Sequence, residues 1–415
     1  MRSLLVVTVA LLVLGCATPP AARDEFIDDR PDPVDNPDWL DSAVFYEIFV
    51  RSFADADGDG NGDIQGIIDR LDYLESLGIT ALWLMPVHPS TSYHGYDVTD
   101  YYAVNPDYGT VDDLRRLVSE AKSRGIRTIL DLVINHTSIE HPWFVAAASG
   151  DPTRRDWYQW ADEIQGPGWH RHGGEAYYGH FWSGMPDLNL ANPAVVAEIE
   201  SIMEYWIGEV GVHGFRIDAA KHLVDARGER EHTPETFDLL SALADSMNDV
   251  NSEAVLVGEV WDASVVASKY VNAGVDLVFS FDRSSGTLTS VARGRRDEFL
   301  YAVERDLELL ASRGYATFLT NHDQDRVVDQ LGHDRRKARL AAAVLLSSPG
   351  VPFVYYGEEI GMRGSKPDPD LRTPMQWSAS HAAGFTDGTP WRDPQRDFEE
   401  VNVAKQDGRV DSLLE

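Results

Sequence analysis

The sequence predicts an α/β protein, a closed (β/α)8 TIM barrel, and three observations carry the prediction. Short apolar, β-branched runs alternate with amphipathic segments from Ala43 onward. Eight such runs can be counted, and six are followed by a segment of helical period. Polar residues gather at the carboxyl ends of several runs, the working face of a barrel. Repeated strand–helix alternation calls for a parallel sheet, and eight units allow that sheet to close. An open doubly wound sheet is the competing reading. No Gly-rich phosphate fingerprint follows the first run, which disfavours it.

In chain order, "AVFYEIFV" (43–50) reads as the first strand, and "IQGIIDRLDYLESLG" (64–78) as a helix stopped by Gly78. "ITALWLMP" (79–86) is a strand, "VDDLRRLVSEAKSRG" (111–125) a helix and "IRTILDLVINH" (126–136) the third strand. The alternation lapses between Thr137 and Leu190, a stretch rich in Trp, Tyr, His and Gly. It resumes with a helix over 193–209 and the strand "GFRID" (214–218), then a helix over 234–249 and "AVLVGEV" (254–260). "VDLVFSF" (275–281), a helix over 296–311, "YATFLT" (315–320), a helix over 335–347 and "VPFVYYG" (351–357) complete the series. Residues 43–136 are thus the first part of the barrel, 137–190 an inserted domain after strand three, and 191–415 the second part.

Residues 1–16, "MRSLLVVTVALLVLGC", are expected to be an address rather than fold: one basic residue precedes an apolar run too short to span a bilayer. The "VLGC" ending is similar to a bacterial lipoprotein signal, with Cys16 left to carry lipid. The protein is therefore expected to be exported and to meet a membrane only through that anchor. Residues 17–42, rich in Pro and Asp, read as a tether. Cys16 is the single cysteine, so no internal disulfide can form. A net charge of -32 would repel phosphate backbones and argues against nucleic-acid partners.

The chemistry-bearing residues sit at predicted strand ends. Asn135 and His136 close strand three, Arg216 and Asp218 strand four, and Glu259 strand five; Asn321, His322 and Asp323 follow strand seven. Three carboxylates converging from three strands, with no phosphate loop and no His-rich metal set, point to glycoside chemistry. Arg216 lies two residues before Asp218 and projects to the same side, where its charge is expected to keep Asp218 ionised. Glu259 is expected in an apolar setting beside another carboxylate, which would raise its pKa.

"DLVINH" (131–136), "GFRIDAAKH" (214–222), "GEVW" (258–261) and "FLTNHD" (318–323) resemble, in order and on the expected strands, the four signature regions of the α-amylase family, glycoside hydrolase family 13. "HGYDVTDYY" (94–102), "MPDLNL" (185–190) and "RTPMQW" (372–377) are further family-like segments. The resemblance implies Asp218 as nucleophile, Glu259 as general acid/base and Asp323 as transition-state stabiliser. It implies that His136 and His322 hydrogen-bond hydroxyls of the sugar being cleaved, that Tyr96 stacks on it, and that Lys221 and His222 act beyond the scissile bond. In the oligosaccharide-cleaving branch the counterparts of Asp97 and Arg372 can pair and hold a non-reducing end; such a pair here would favour short maltooligosaccharides. The mixture resembles the group intermediate between neopullulanases and oligo-1,6-glucosidases, which includes lipid-anchored α-amylases.

The expected function is retaining hydrolysis of α-1,4 bonds in starch-type glucans or maltooligosaccharides, by a monomer. Transglycosylation or isomerisation, action on small α-glucosides, and non-catalytic glucan binding are the alternatives. The last is disfavoured because all three carboxylates are retained.

"DADGDGNGD" (55–63) places oxygen-bearing side chains at every second position. A helix–loop–helix calcium sensor would need a preceding helix and a Glu at the twelfth position, which is Gly66. The stretch instead resembles the calcium loop on the first strand–helix connection of the oligosaccharide-cleaving branch. That resemblance implies Ca2+ held by Asp55, Asp57, Asp59 and Asp63, with Asn61 contributing its carbonyl. Family members usually complete an eighth helix and then a C-terminal β-sandwich. The 415 residues end at "VDSLLE", where that helix would start, so apolar surface on strands one and eight is expected to be exposed.

Overall fold

The computed structural model describes residues 36–226, 228–310 and 314–415. The expected signal segment, Cys16 and the expected tether up to residue 35 lie outside the described residues. Among the described residues no helix is long and apolar enough to cross a membrane.

The strands are β1 (Phe45–Ile48), β2 (Ala81–Leu84), β3 (Arg127–Leu132), β4 (Trp160–Ala161), β5 (Trp169–His172), β6 (Glu175–Tyr178), β7 (Gly214–Ile217), β8 (Val255–Gly258), β9 (Leu277–Val278), β10 (Ala316–Phe318) and β11 (Val351–Tyr355). Eight of them form one parallel sheet in the order β10-β11-β1-β2-β3-β7-β8-β9. A parallel bridge between Phe279 and Ala316 joins the two ends, so the sheet closes and the open-sheet alternative falls away. The lapse after strand three holds a separate antiparallel sheet, β4-β6-β5.

Period-2 alternation sorts the strand residues into two cores. Phe45, Trp83, Ile129, Val257, Phe318 and Phe353 fill the barrel interior, with Phe45 stacked on Phe353 at 4.2 Å. Their neighbours Tyr46, Leu82, Leu130 and Phe215 face the helical layer. The helices start where the sequence caps them. Thr110 and Asp113 form a capping box on Val111–Ser123. Asn192 and Thr233 cap Pro193–Glu204 and Pro234–Val250, each with Pro in the first turn.

Local differences from the sequence reading have physical causes. The first strand ends at Ile48, and one helical turn, Val50–Phe53, precedes the acidic loop. The sensor reading still fails on Gly66. The 64–78 helix breaks at Arg70 into Ile64–Ile68 and Leu71–Ser76. Helices Ser264–Val271 and Phe281–Arg293 are absent from the sequence reading; the second is rich in the poor helix formers Ser, Thr and Gly. Its Gly286 is required by close packing, since a Cβ there would lie 2.8 Å from the Glu298 carbonyl oxygen.

The expected exposure of strand one is not found. All four β1 residues are buried, because Trp377 packs on Phe53 and Tyr73 at 5.1 Å each, and the hydroxyls of Tyr46 and Tyr73 both donate to Glu359 at 2.8 Å. On β11 the outward Val354 is half-buried against the cluster containing Leu319 and Leu345. The chain after β11 folds back and supplies Glu359 and Trp377 to the cover of β1, while Leu319 and Leu345 precede β11.

Candidate active site

The site is organised around one guanidinium. Arg216 on β7 is 1% exposed and sits in register beside Asp131 of β3. Its Nη1 donates to Asp131 Oδ1 and to Asp218 Oδ1, both at 2.7 Å, and its Nη2 reaches Glu259 Oε2 at 2.8 Å. The register Ile217–Gly258 between β7 and β8 brings the next residues, Asp218 and Glu259, side by side. Ala219 then turns the chain in the left-handed region, φ 48°, an uncommon conformation for a residue with a Cβ. That turn lets its N–H donate to Glu259 Oε2 at 3.0 Å.

Three buried carboxylates therefore share one cation. Burial pushes Asp218 and Glu259 up, with Arg216 opposing in both cases, and raises Asp131 to about 7. Arg216 favours the ionised form of Asp218 as expected, while burial opposes it and sets the net direction upward. The expected apolar setting of Glu259 is found only in part: it is buried, yet it also meets Arg216 from the neighbouring strand.

Asp323 lies opposite. Arg372 Nη2 donates to its Oδ1 at 2.8 Å, and His322 Nε2 lies 3.2 Å from its Oδ2. Burial would raise Asp323, but His322, Arg372 and Arg216 hold it well below the usual carboxylate range. The Tyr96 ring stacks on that of His322 at 5.6 Å, and its hydroxyl lies 2.8 Å from His322 Nε2 while donating to Asp131 Oδ2 at 3.0 Å.

A cavity of about 460 Å³ opens onto these groups, lined by Tyr96, His136, Asp218, Lys221, His222, Glu259, Asp323 and Arg372. His136 Nε2 is buried and has no partner among the described residues, a polar atom left for a ligand. Burial lowers His136 to about 4, so this imidazole is neutral near pH 7. His322 does not line the cavity; both its nitrogens already face protein groups.

Asp97 and Arg372 do not pair. Asp97 is buried and accepts from the hydroxyls of Ser90, Thr91 and Ser92, while Arg372 turns to Asp323 and to the His322 carbonyl. Three hydroxyls on adjacent residues satisfy the carboxylate locally, which leaves Arg372 for the charge nearer to it.

The structure adds residues that the sequence reading passes over. Asp131 opens the "DLVINH" motif and lies two steps of alternation below Asn135, so the strand period is the signal that points to it. Glu47 breaks an apolar strand and meets His322 Nδ1 at 2.5 Å. Half-exposed Phe181, Trp182 and Trp261 rim the cavity, with Trp261 stacked on Phe281 at 4.7 Å. His94 and Asp368 also line it.

In the acidic loop, carboxylate oxygens of Asp55, Asp57 and Asp63 lie within 4.8 Å of one another, and Asp63 is buried. None of the three is paired with Lys or Arg among the described residues. This donor set, oxygen only and one member buried, fits a hard cation such as Ca2+. Asp59 stands outside the cluster: its Oδ1 accepts from Asn61 N–H at 2.7 Å. The Asn61 side chain is taken by Arg51, which leaves its carbonyl as the group to offer. Gly60 lets the loop pass close to the Thr389 carbonyl, where a Cβ would come within 2.0 Å.

Comparison with known proteins bears on the same residues. The chain is 45% identical to alpha-amylase 3 of Dictyoglomus thermophilum, over 83% of this chain and 69% of that protein. It is 35% identical to the trehalose synthase/amylase of Mycobacterium tuberculosis, over 91% of this chain and 74% of that one. The crystal structure of the alpha-amylase from H. orenii superposes with a TM-score of 0.84 at 42% identity, covering 89% of this chain and 79% of the other. A family model, the catalytic domain of alpha amylase, matches residues 47–415. With the closed barrel, the carboxylate cluster at its mouth and this match along nearly its whole length, the chain belongs to the alpha-amylase family of glycoside hydrolases.

Proposed function

We propose that this protein hydrolyses α-1,4-glucosidic bonds in starch-type glucans or maltooligosaccharides with retention. The observation that carries the reading is the fork of Arg216, which seats Asp218 and Glu259 side by side at the floor of the cavity. Retention needs two carboxyl groups about 5–5.5 Å apart, one ionised and one protonated. Three buried carboxylates on a single cation cannot all ionise cheaply, so one proton stays, and Glu259 is its holder in this scheme.

Asp218 then attacks the anomeric carbon as Glu259 gives its proton to the departing glycosidic oxygen, forming a glucosyl ester. Glu259, now ionised, takes a proton from water; the water oxygen attacks the same carbon and frees Asp218. Asp323, kept ionised, faces the positive charge that builds on the sugar in both steps. His136 and Tyr96 supply a hydrogen bond and a ring face to that sugar, while Lys221, His222 and the aromatic rim meet the leaving side. Asp55, Asp57 and Asp63, with the Asn61 carbonyl, are the proposed Ca2+ holders, bracing the first strand–helix connection. Export through a lipidated Cys16 completes the reading, and processing of the full chain at that residue, seen by mass spectrometry, tests it.

Because Asp97 and Arg372 do not meet, they build no barrier against long chains, so starch as well as oligosaccharides is an expected substrate. Rates on starch, maltotriose, isomaltose, sucrose and trehalose, with anomer analysis by NMR, test the proposal. Initial release of the β-anomer, or activity on isomaltose alone, would overturn it. A second reading, glucosyl transfer to another sugar, is favoured by the likeness to a trehalose synthase/amylase. Products longer than maltotetraose, when that is the substrate, would select it.

A further inference from the structure

β1 is apolar except for Glu47, which is 2% exposed inside the barrel mouth. Its Oε1 lies 2.5 Å from Nδ1 of His322, a residue itself 1% exposed. On the far side of the imidazole, Nε2 lies 2.8 Å from the Tyr96 hydroxyl and 3.2 Å from Asp323 Oδ2.

Counting protons settles what such a site asks of the ring. Tyr96 has one hydroxyl proton, and it is directed to Asp131 Oδ2 at 3.0 Å, whose carboxylate is anchored through Oδ1 to Arg216. With Asp131 ionised, the Tyr96 oxygen accepts, and Nε2 is the donor across that 2.8 Å contact. A carboxylate at Glu47 can only accept as well, so Nδ1 must carry another. An imidazole with hydrogen on both nitrogens is a cation.

The surroundings agree. The charged and titratable groups facing this pair are Tyr96 from the loop after β2, Asp131 on β3, Arg216 and Asp218 at the end of β7, Asp323 beside His322, Arg372, and, on the Glu47 side, Tyr355 on β11 and Glu358 just beyond it. Arg372 addresses the His322 carbonyl, at 3.0 Å, and the Asp323 carboxylate, not the imidazole nitrogens. The Trp83 ring meets the imidazole edge-on at 5.7 Å and offers no hydrogen-bond acceptor. Burial by itself would lower the His322 pKa, but Asp323 and Glu47 outweigh it and push it up to about 10.

We propose that Glu47 is a positioning residue that holds His322 as a permanent imidazolium beneath Tyr96 and beside Asp323. This rests on the reading of Asp323 and Tyr96 as parts of the sugar site, and it adds a source of fixed charge to that site. The cation keeps Asp323 ionised. Its Nε2–H also holds the Tyr96 oxygen, so that the Tyr96 hydroxyl stays directed to Asp131 and the ring stays stacked. Glu47 thereby acts on the sugar site from the opposite end of a chain of hydrogen bonds, without touching substrate.

The test is ¹⁵N NMR of histidine-labelled wild type and Glu47→Gln, with His322→Asn used only to assign the signal. In the wild type, both His322 nitrogens should be protonated and should not titrate between about pH 5 and 9. Glutamine keeps an acceptor for Nδ1 and removes the charge. His322 in Glu47→Gln should then lose its proton roughly 1–3 pH units lower. The alkaline limb of kcat/KM on 4-nitrophenyl α-maltotrioside should move down with it, while Glu47→Asp restores part of the shift. A wild-type His322 with one unprotonated nitrogen at pH 7 overturns the proposal. So does a Glu47→Gln protein whose His322 signal is unchanged. The wild-type spectrum decides even where the variant fails to fold. Because it needs no turnover, it also stands apart from any failure of the hydrolase reading.

Discussion

Arg372 donates to Asp323 at 2.8 Å, and the partner expected for it, Asp97, is enclosed by three hydroxyls. The pairing couples the segment after β11 to the carboxylate after β10, so the orientation of Asp323 depends on a residue 49 positions later. Arg372→Ala should lower kcat/KM by about 10²-fold through misplacement of Asp323. Asp97→Asn should leave the ratio of rates on starch and maltotriose unchanged. A ratio that moves toward longer chains would show that the two residues do meet when substrate binds.

Glu259→Gln keeps the shape of the acid and removes its proton. Hydrolysis of maltotetraose should fall by roughly 10²–10⁴-fold in kcat while circular dichroism and Tm stay near wild type. Unchanged reducing-sugar release would remove Glu259 from the mechanism.

Arg216→Met tests the guanidinium as a structural as well as a chemical centre. It strands Asp131, Asp218 and Glu259 together in a buried site. Loss of one partner of a buried pair costs about 3–5 kcal/mol, so urea unfolding should shift markedly to lower concentration. The variant should recover stability as pH falls and the carboxylates take up protons.

Chelation addresses the acidic loop. EDTA should lower Tm and added Ca2+ restore it, since a cation bound at a hundred times its Kd stabilises by about 2.7 kcal/mol. Asp63→Ala should abolish the response, whereas Asp59→Ala, outside the cluster, should weaken it less. An identical Tm with and without EDTA would remove the site.

His88 gives a pH signature of its own. It packs between Trp206 and Tyr101, and burial lowers it to about 4. An unfolded histidine titrates near about 6.5, so between those values the unfolded chain holds more protons than the folded one. His88 therefore supports stability fully above about pH 6.5 and loses that contribution as pH falls toward 4, by up to about 3 kcal/mol. Asp131 and Glu358, raised by burial to about 7 and about 8, act in the opposite sense. The clean measurement is the stability difference between wild type and His88→Phe across about pH 4.5–7, where the other groups cancel. A difference independent of pH would refute the assignment.

Much of the fold and site is legible before any coordinates. The strands are readable because buried parallel strands need continuous apolar, β-branched runs, and Asp218, Glu259 and Asp323 because they interrupt or end such runs with charge. The helix Phe281–Arg293 is harder to read, because its Ser, Thr and Gly residues hide helical period and serve close packing instead. Phe181 and Trp182 are anonymous members of an aromatic stretch until the inserted sheet folds them over the cavity. Asp131 is within reach of the alternation rule.

What the chain determines locally is period: which segments extend, which coil, and which end of each strand carries charge. Pairings across the barrel are another matter. Glu47 and His322 stand 275 residues apart and meet because the barrel pairs β11 with β1 and sets β10 on the other side of β11. The partners of Arg372 and Arg216 are chosen in the same way, by strand register and by which carboxylate already has hydroxyls at hand. Backbone conformation is governed by neighbours in sequence, whereas a buried charge is governed by whatever the closed sheet places within a few ångströms of it.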